Sequence, residues 1–63
     1  MRYFHFFVMV ADNINGKKTS CILSLSEQKY YYCSNLDKEF YKETSALLQL
    51  HIDSFTIVDI KKL

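Results

Sequence analysis

The nine residues from Arg2 to Val10, RYFHFFVMV, constrain the fold more than any other stretch of this sequence. Side chains of a β-strand alternate between two faces. Here both faces are apolar or aromatic, with His5 the one polar side chain after Arg2. One face of such a strand can pack under a helix, but the other needs a cover of its own. A chain of 63 residues has little material for a second cover.

The composition is that of one folded domain, residues 1–63. Hydrophobic residues make up 49% of the chain, with one glycine and no proline, which argues against disorder. A net charge of +1 lacks the strong positive field of a domain that binds a phosphate backbone. No run approaches the roughly eighteen apolar residues of a membrane span, so we expect a cytoplasmic protein with no membrane partner.

Two antiparallel strands open the chain. The Asn15-Gly16 dipeptide follows the first apolar run and supplies the positive φ angles that a tight hairpin turn needs. The second strand, Thr19 to Ser26, alternates between apolar and polar side chains. Its apolar positions on one face are Cys21, Leu23 and Leu25.

The segment from Glu27 to Cys33 has no clear periodicity. Its three consecutive tyrosines, Tyr30 to Tyr32, favour extended structure without alternating usefully. The segment either continues the second strand, forms a short extra strand or leads into the helix that follows.

A helix and a third strand complete the chain. Ser34 is a suitable N-cap, and apolar side chains then recur at helical spacing. The residues of this stripe are Leu36, Phe40, Leu47 and Leu48. Ile52 to Lys61 is rich in β-branched residues and reads as a strand. The prediction is an α+β domain of order ββαβ, with a mainly antiparallel sheet in the order 2-1-3 and the helix on one face.

The two faces of this sheet differ in what covers them. Under the helix we expect Phe4, Phe6, Val8 and Val10, with Cys21, Leu23 and Leu25 and with Thr56, Val58 and Ile60. The second face then collects Tyr3, His5, Phe7, Met9, Ile22, Phe55 and Ile57. A patch of this size reaches or exceeds what a lone soluble protein usually exposes.

Three covers fit the second face: the tyrosine segment folded back on it, a second copy of the chain, or a different protein such as a host protein. We favour the second copy, because self-association also stabilises a domain whose own core is small. The expected function is therefore that of a non-enzymatic interaction module that acts as a homo-oligomer, with a dimer favoured.

The alternative function is the binding of single-stranded nucleic acid. Aromatic side chains on an open sheet face can stack on bases. The residues that would serve are Tyr3, Phe7, Phe55, Lys17 and Lys18. The motif of the four-stranded RNA-binding sheets is absent, and both lysines fall at the hairpin turn, so this is the weaker hypothesis.

The sequence predicts neither catalysis nor a bound metal or cofactor. His5, His51, Cys21 and Cys33 are scattered singly, whereas a structural zinc site usually contains closely spaced ligand pairs. Nucleophilic catalysis would require a Ser or Cys beside an oriented His, and His5 is expected on the opposite face from Cys21. The two cysteines read as reduced thiols rather than a disulfide.

Four features together carry a family resemblance: the start MRYFHFFVMV, the Asn15-Gly16 turn, the helix opening Ser34-Asn35-Leu36 and the closing strand FTIVDIKKL. This arrangement resembles small uncharacterised proteins of phages and mobile elements of gut bacteria. The resemblance implies the same order of elements and an accessory role, and it assigns no function to any residue.

Overall fold

The computed structural model describes residues 2–63, which form a three-stranded sheet with two helices. The elements are β1 (Tyr3–Asp12), β2 (Lys18–Ser26), α1 (Glu27–Tyr32), α2 (Leu36–Leu48) and β3 (Phe55–Lys62). Both strand pairs are antiparallel, and the order in the sheet is β2-β1-β3. The predicted α+β class and strand order are confirmed, and α1 is an additional element.

The hairpin turn between β1 and β2 is held by a carboxylate. Asp12 accepts hydrogen bonds from the backbone N–H groups of Ile14 at 2.8 Å and Asn15 at 3.0 Å. These bonds stabilise the charged form and lower the pKa of Asp12 below its usual range. Gly16 has a φ of 73°, which is the left-handed conformation expected of the glycine in this turn.

The tyrosine segment, which the sequence left undecided, forms α1. Ser26 caps this short helix, and its hydroxyl accepts from the backbone N–H of Lys29 at 3.1 Å. The Tyr30 ring stacks on Phe6 with 5.6 Å between centroids and meets the edge of Phe4 at 5.2 Å. This packing outweighs the preference of tyrosine for extended structure. It also places Tyr30 on the same face of the sheet as α2, so the segment does not cover the second face.

The second helix, α2, begins one residue later than predicted. Asn35, and not Ser34, is its N-cap, and the Asn35 side chain accepts from the backbone N–H of Lys38 at 3.1 Å. Both residue types are good caps, so the sequence does not distinguish them. The helix ends at Leu48. Its C-cap is Gln49, which has a left-handed φ of 54° although it is not a glycine.

The face of α2 that meets the sheet is centred on Phe40 and Thr44. Phe40 packs its ring edge-on against Phe6 at 5.0 Å, and Thr44 is completely buried. The prediction that Leu47 belongs to the core is wrong, since 53% of Leu47 is exposed. Leu48, the neighbouring leucine that is also predicted for the core, does pack partly against it.

A β-bulge interrupts the pairing of β1 with β3. Met9 lies opposite Asp59, but the next residue, Val10, lies opposite Ile57, so Val58 is an extra residue in β3. Side chains directly opposite each other in an antiparallel pair lie on the same face. The bulge therefore changes which residues of β3 face the helices.

Two residues predicted for the second face lie in the core instead. Phe55 is only 3% exposed, and its ring stacks on Tyr41 of α2 at 5.5 Å. Ile57 is partly buried against the same core. Both predictions are wrong because they assume that side chains alternate between the two faces along the whole of β3, and the bulge interrupts that alternation.

The same bulge corrects the residues that were expected under the helix. Ile60 lies opposite the buried Val8 and shares its face, as predicted, but it is 37% exposed and does not belong to the buried core. Counting back from Ile60 in steps of two gives Val58 and Thr56, but Val58 is half exposed and Thr56 is exposed. Because the bulge adds one residue to β3, the alternation of faces before it is shifted by one residue.

The core residues of β1 and β2 are as predicted. The whole buried core also includes one residue of α2 and one of β3, and its members are Phe6, Val8, Val10, Leu23, Leu25, Phe40 and Phe55. Cys21 packs against this cluster, and both Cys21 and Cys33 are free thiols. Burial raises the pKa of the Cys21 thiol, and the nearby Thr44 hydroxyl opposes that rise. Cys21 is thus a small packing residue, as expected from its position on β2.

Candidate protein-interaction surface

The sheet has one face that neither helix contacts, and we call it the open face. The pairing register and the alternation of side chains assign its members. They are Tyr3, His5, Phe7, Met9 and Ala11 of β1, Lys18, Ser20, Ile22, Ser24 and Ser26 of β2, and Thr56, Asp59 and Lys61 of β3.

The centre of the open face is apolar. Tyr3 is 56% exposed and Ile22 is 61% exposed, while Phe7 and Met9 are half-buried between their cross-strand neighbours. Phe7 lies directly between Ile22 on β2 and Lys61 on β3. Aromatic and methionine side chains of this kind are enriched at the centres of protein interfaces.

Polar side chains border this apolar centre on both sides. Ser20, Ser24 and Ser26 follow one side along β2, whereas Asp59 and Lys61 follow the other along β3. An apolar centre with a polar rim is the usual anatomy of a protein interface. An arrangement of this kind can serve as a contact surface, and it is not a cleft.

His5 is held in place on the open face by its cross-strand neighbour. Its Nδ1 atom lies 2.7 Å from the hydroxyl of Ser24, which is directly opposite in the register. Both side chains are exposed. The pair is a polar contact within the surface, and its hydrogen bond fixes the imidazole against the sheet.

Of the seven residues predicted for this surface, five lie on it. Tyr3, His5, Phe7, Met9 and Ile22 come together as expected. As reported above, Phe55 and Ile57 do not. The predicted set omits Asp59 and Lys61 because it counts only apolar and aromatic side chains and His5, although the alternation that places Ile60 on the helix face already puts both charged residues on the open face.

The set of residues predicted for nucleic-acid binding is brought together only in part. Tyr3 and Phe7 lie on the open face, and Lys17 and Lys18 are exposed beside the hairpin loop. Phe55 is buried and cannot stack on a base. One of the three aromatic side chains of that hypothesis is thereby lost.

Elsewhere the described residues offer little that could hold a ligand. A shallow cleft of about 330 Å³ is lined by Ser26, Gln28, Lys29, Tyr32 and Cys33. Residues 2–63 contain no group of three or more His, Cys, Asp or Glu side chains that could hold a metal ion. No helix in this part of the chain is both long and apolar enough to cross a membrane.

Comparisons with known proteins return no relative. No family model matches the chain, and neither a curated protein nor a solved structure matches it significantly. The resemblance to small proteins of phages and mobile elements stays a prediction.

Proposed function

We propose that this chain is a non-enzymatic interaction module that associates with a second copy of itself through the open face. The observation that carries this proposal is the exposure of Tyr3 and Ile22 beside Phe7 and Met9, on a face that neither helix contacts. We place this function in the cytoplasm, which fits the two free thiols.

The size and nature of the exposed side chains support an occupant for this face. A large aromatic side chain can bury about 150 to 250 Å². Tyr3 and Phe7, with Ile22 and Met9, therefore present a contiguous apolar patch in the range that marks interaction sites on soluble proteins. The patch is narrower than the sequence predicted, because Phe55 and Ile57 belong to the core.

Sheet packing and the rim charges both allow a second copy to occupy this surface. Two antiparallel sheets pack face to face with their strands within about 30° of each other. The rim of the open face carries acidic Asp59 and basic Lys18 and Lys61. A two-fold axis through the apolar centre can thus bring a lysine of one copy near the aspartate of the other, which favours the correct pairing.

Self-association also compensates for the limited stability that a small core provides. A domain of about 60 residues buries only about 60% of the surface of its unfolded chain. Burying Tyr3, Phe7 and Ile22 between two copies adds apolar contact, because a single chain leaves Tyr3 and Ile22 exposed and Phe7 half-buried. The folded state would then become more stable as the protein concentration rises.

Light scattering together with sedimentation velocity over a range of concentrations tests the proposal. We expect the protein to associate at micromolar concentrations, and we expect Phe7→Ser or Tyr3→Ser to weaken that association. Tyr32→Ser is the matched control, because Tyr32 is 83% exposed on α1 and lies away from the open face.

Circular dichroism on each variant establishes that the fold is retained. A wild-type protein that stays monomeric at all concentrations would overturn the proposal. So would a folded Phe7→Ser variant that associates as strongly as the wild type.

A further inference from the structure

The two outer edges of the sheet differ in how well they are protected from pairing with another strand. On β3, the bulge at Val58 breaks the regular edge, and the hydroxyl of Tyr41 accepts from the backbone N–H of Ile57 at 3.0 Å. Charged Asp59 and Lys61 follow on the same strand. Bulges, charges and satisfied backbone groups are the means by which proteins prevent edge strands from pairing with other chains.

The outer edge of β2 has none of these protections. Its register against β1 runs unbroken from Lys18 to Ser26, with no bulge. Between Thr19 and Ser26 there is no charged residue, no proline and no glycine. A strand of nine residues with such an edge is the kind that pairs with another strand.

The hydrogen bonds at the two ends of the hairpin show which backbone groups of β2 point outward. The N–H of Glu27 donates to the C=O of Arg2 at 2.9 Å. At the other end, the N–H of Asp12 donates to the C=O of Lys17 at 2.9 Å. Hydrogen-bonded pairs alternate along an antiparallel ladder. The residues bonded to β1 are therefore Thr19, Cys21, Leu23 and Leu25, and those with outward N–H and C=O groups are Ser20, Ile22 and Ser24.

We propose that β2 pairs antiparallel with β2 of a second copy, with Ile22 opposite Ile22 across a two-fold axis. In this register Ser20 of each copy lies opposite Ser24 of the other. All three opposed pairs use outward-facing groups and exchange two hydrogen bonds each, so the contact forms about six backbone hydrogen bonds.

The side chains agree with this self-pairing. Ile22, which is 61% exposed in one chain, meets its own counterpart on the open face. The flanking pairs are serine against serine, so no like charges lie opposite each other. Because the edge of β3 is protected, the pairing closes after two copies and cannot extend into a fibre.

This contact is separate from the packing of open faces. It uses the outward backbone groups of Ser20, Ile22 and Ser24, whereas face packing uses Tyr3, Phe7 and Met9. Edge pairing joins two three-stranded sheets into one, and the two open faces then form one continuous surface. Edge pairing can therefore persist when open-face packing is disrupted, and open-face packing can persist when edge pairing is disrupted.

Amide hydrogen exchange on the wild-type protein, read by NMR at several concentrations, tests the edge directly. At a concentration where a tenth of the protein stays monomeric, we expect the amides of Ser20, Ile22 and Ser24 to exchange about tenfold more slowly than in dilute solution. The amides of Cys21 and Leu23 are bonded to β1 in either state, so they should show no such change.

Ser20→Pro provides the matching variant, with Ser20→Ala as its control. Proline removes an N–H that faces outward, which an edge strand tolerates, while blocking the partner strand. We expect Ser20→Pro to abolish the concentration-dependent protection at Ile22, and Ser20→Ala to retain it. Phe7→Ser should leave this protection in place, because it disturbs only the open face.

Association without slower exchange at Ser20, Ile22 and Ser24 would overturn edge pairing and leave the open face as the contact. Protection that appears only after an extended apolar peptide is added, and never with concentration, would assign the edge to a foreign strand. It would likewise overturn self-pairing.

Discussion

The two faces of the sheet are built from alternate residues of the same strand, yet they have opposite fates. On β1, Phe6, Val8 and Val10 are buried under the helices. Their neighbours Phe7 and Met9 are comparably apolar but only half-buried. The difference lies in the number of layers: both helices pack on one face, so burial is decided by where the helices go and not by hydrophobicity alone.

The largest expected effect tests whether β3 contributes to the covered face. Phe55→Ala should lower the free energy of unfolding by about 3–5 kcal/mol, because it removes a buried ring stacked on Tyr41. Val58→Ala, at the half-exposed bulge, should cost much less. Urea denaturation of both variants makes the measurement. A larger loss for Val58→Ala than for Phe55→Ala would mean that β3 is turned as the unbroken alternation predicts.

A pair of neighbours on β2 compares the two faces directly. Leu23→Ala removes a buried side chain and should cost about 2–5 kcal/mol. Ile22→Ala, on the open face, should cost less than about 1 kcal/mol when the protein is dilute enough to be monomeric. At high concentration the cost of Ile22→Ala should rise, and a cost that does not depend on concentration would argue against an occupied face.

A smaller effect concerns the helix that covers one face. Asn35→Ala removes the N-cap of α2 and should destabilise the protein by about 1 kcal/mol. Ser34→Ala is the control and should be nearly neutral. Thermal unfolding followed by circular dichroism distinguishes the two, and the reverse order of effects would restore Ser34 as the cap.

The smallest effect lies in the turn that joins β1 to β2. The lowered pKa of Asp12 means that its stabilising contribution is fully present above the usual value of 3.8 and is lost as the pH falls through the lowered value. Asp12→Asn should remove this part of the acid dependence. NMR titration of the carboxyl group checks the direction, and a pKa at or above 3.8 would contradict the turn geometry.

The sequence predicts most of the hairpin because periodicity and turn chemistry agree there. The alternation of β2 and the Asn15-Gly16 dipeptide both indicate an antiparallel pair, and the apolar character of β1 indicates the central strand. The centre of the open face follows from the same alternation, which places Tyr3, Phe7 and Ile22 together.

Three features depend on contacts that the local pattern does not encode. The extra residue at Val58 reverses the faces of the residues before it in β3, and a run of β-branched residues gives no sign of it. Tyr30 becomes helical because it packs on Phe4 and Phe6. Leu47 is expected in the core because its spacing suits a helix, but it is 53% exposed, and of the two adjacent leucines only Leu48 packs against the core.

Val58 acts as a one-residue phase shift in β3. The half of the strand before it turns Phe55 and Ile57 inward, and the half after it gives the open face its charges at Asp59 and Lys61. If the same residues paired with β1 without a bulge, Val58 would lie opposite Val10 and Phe55 would turn outward. The same amino acids would then form a larger exposed apolar surface, a smaller core and different side-chain contacts.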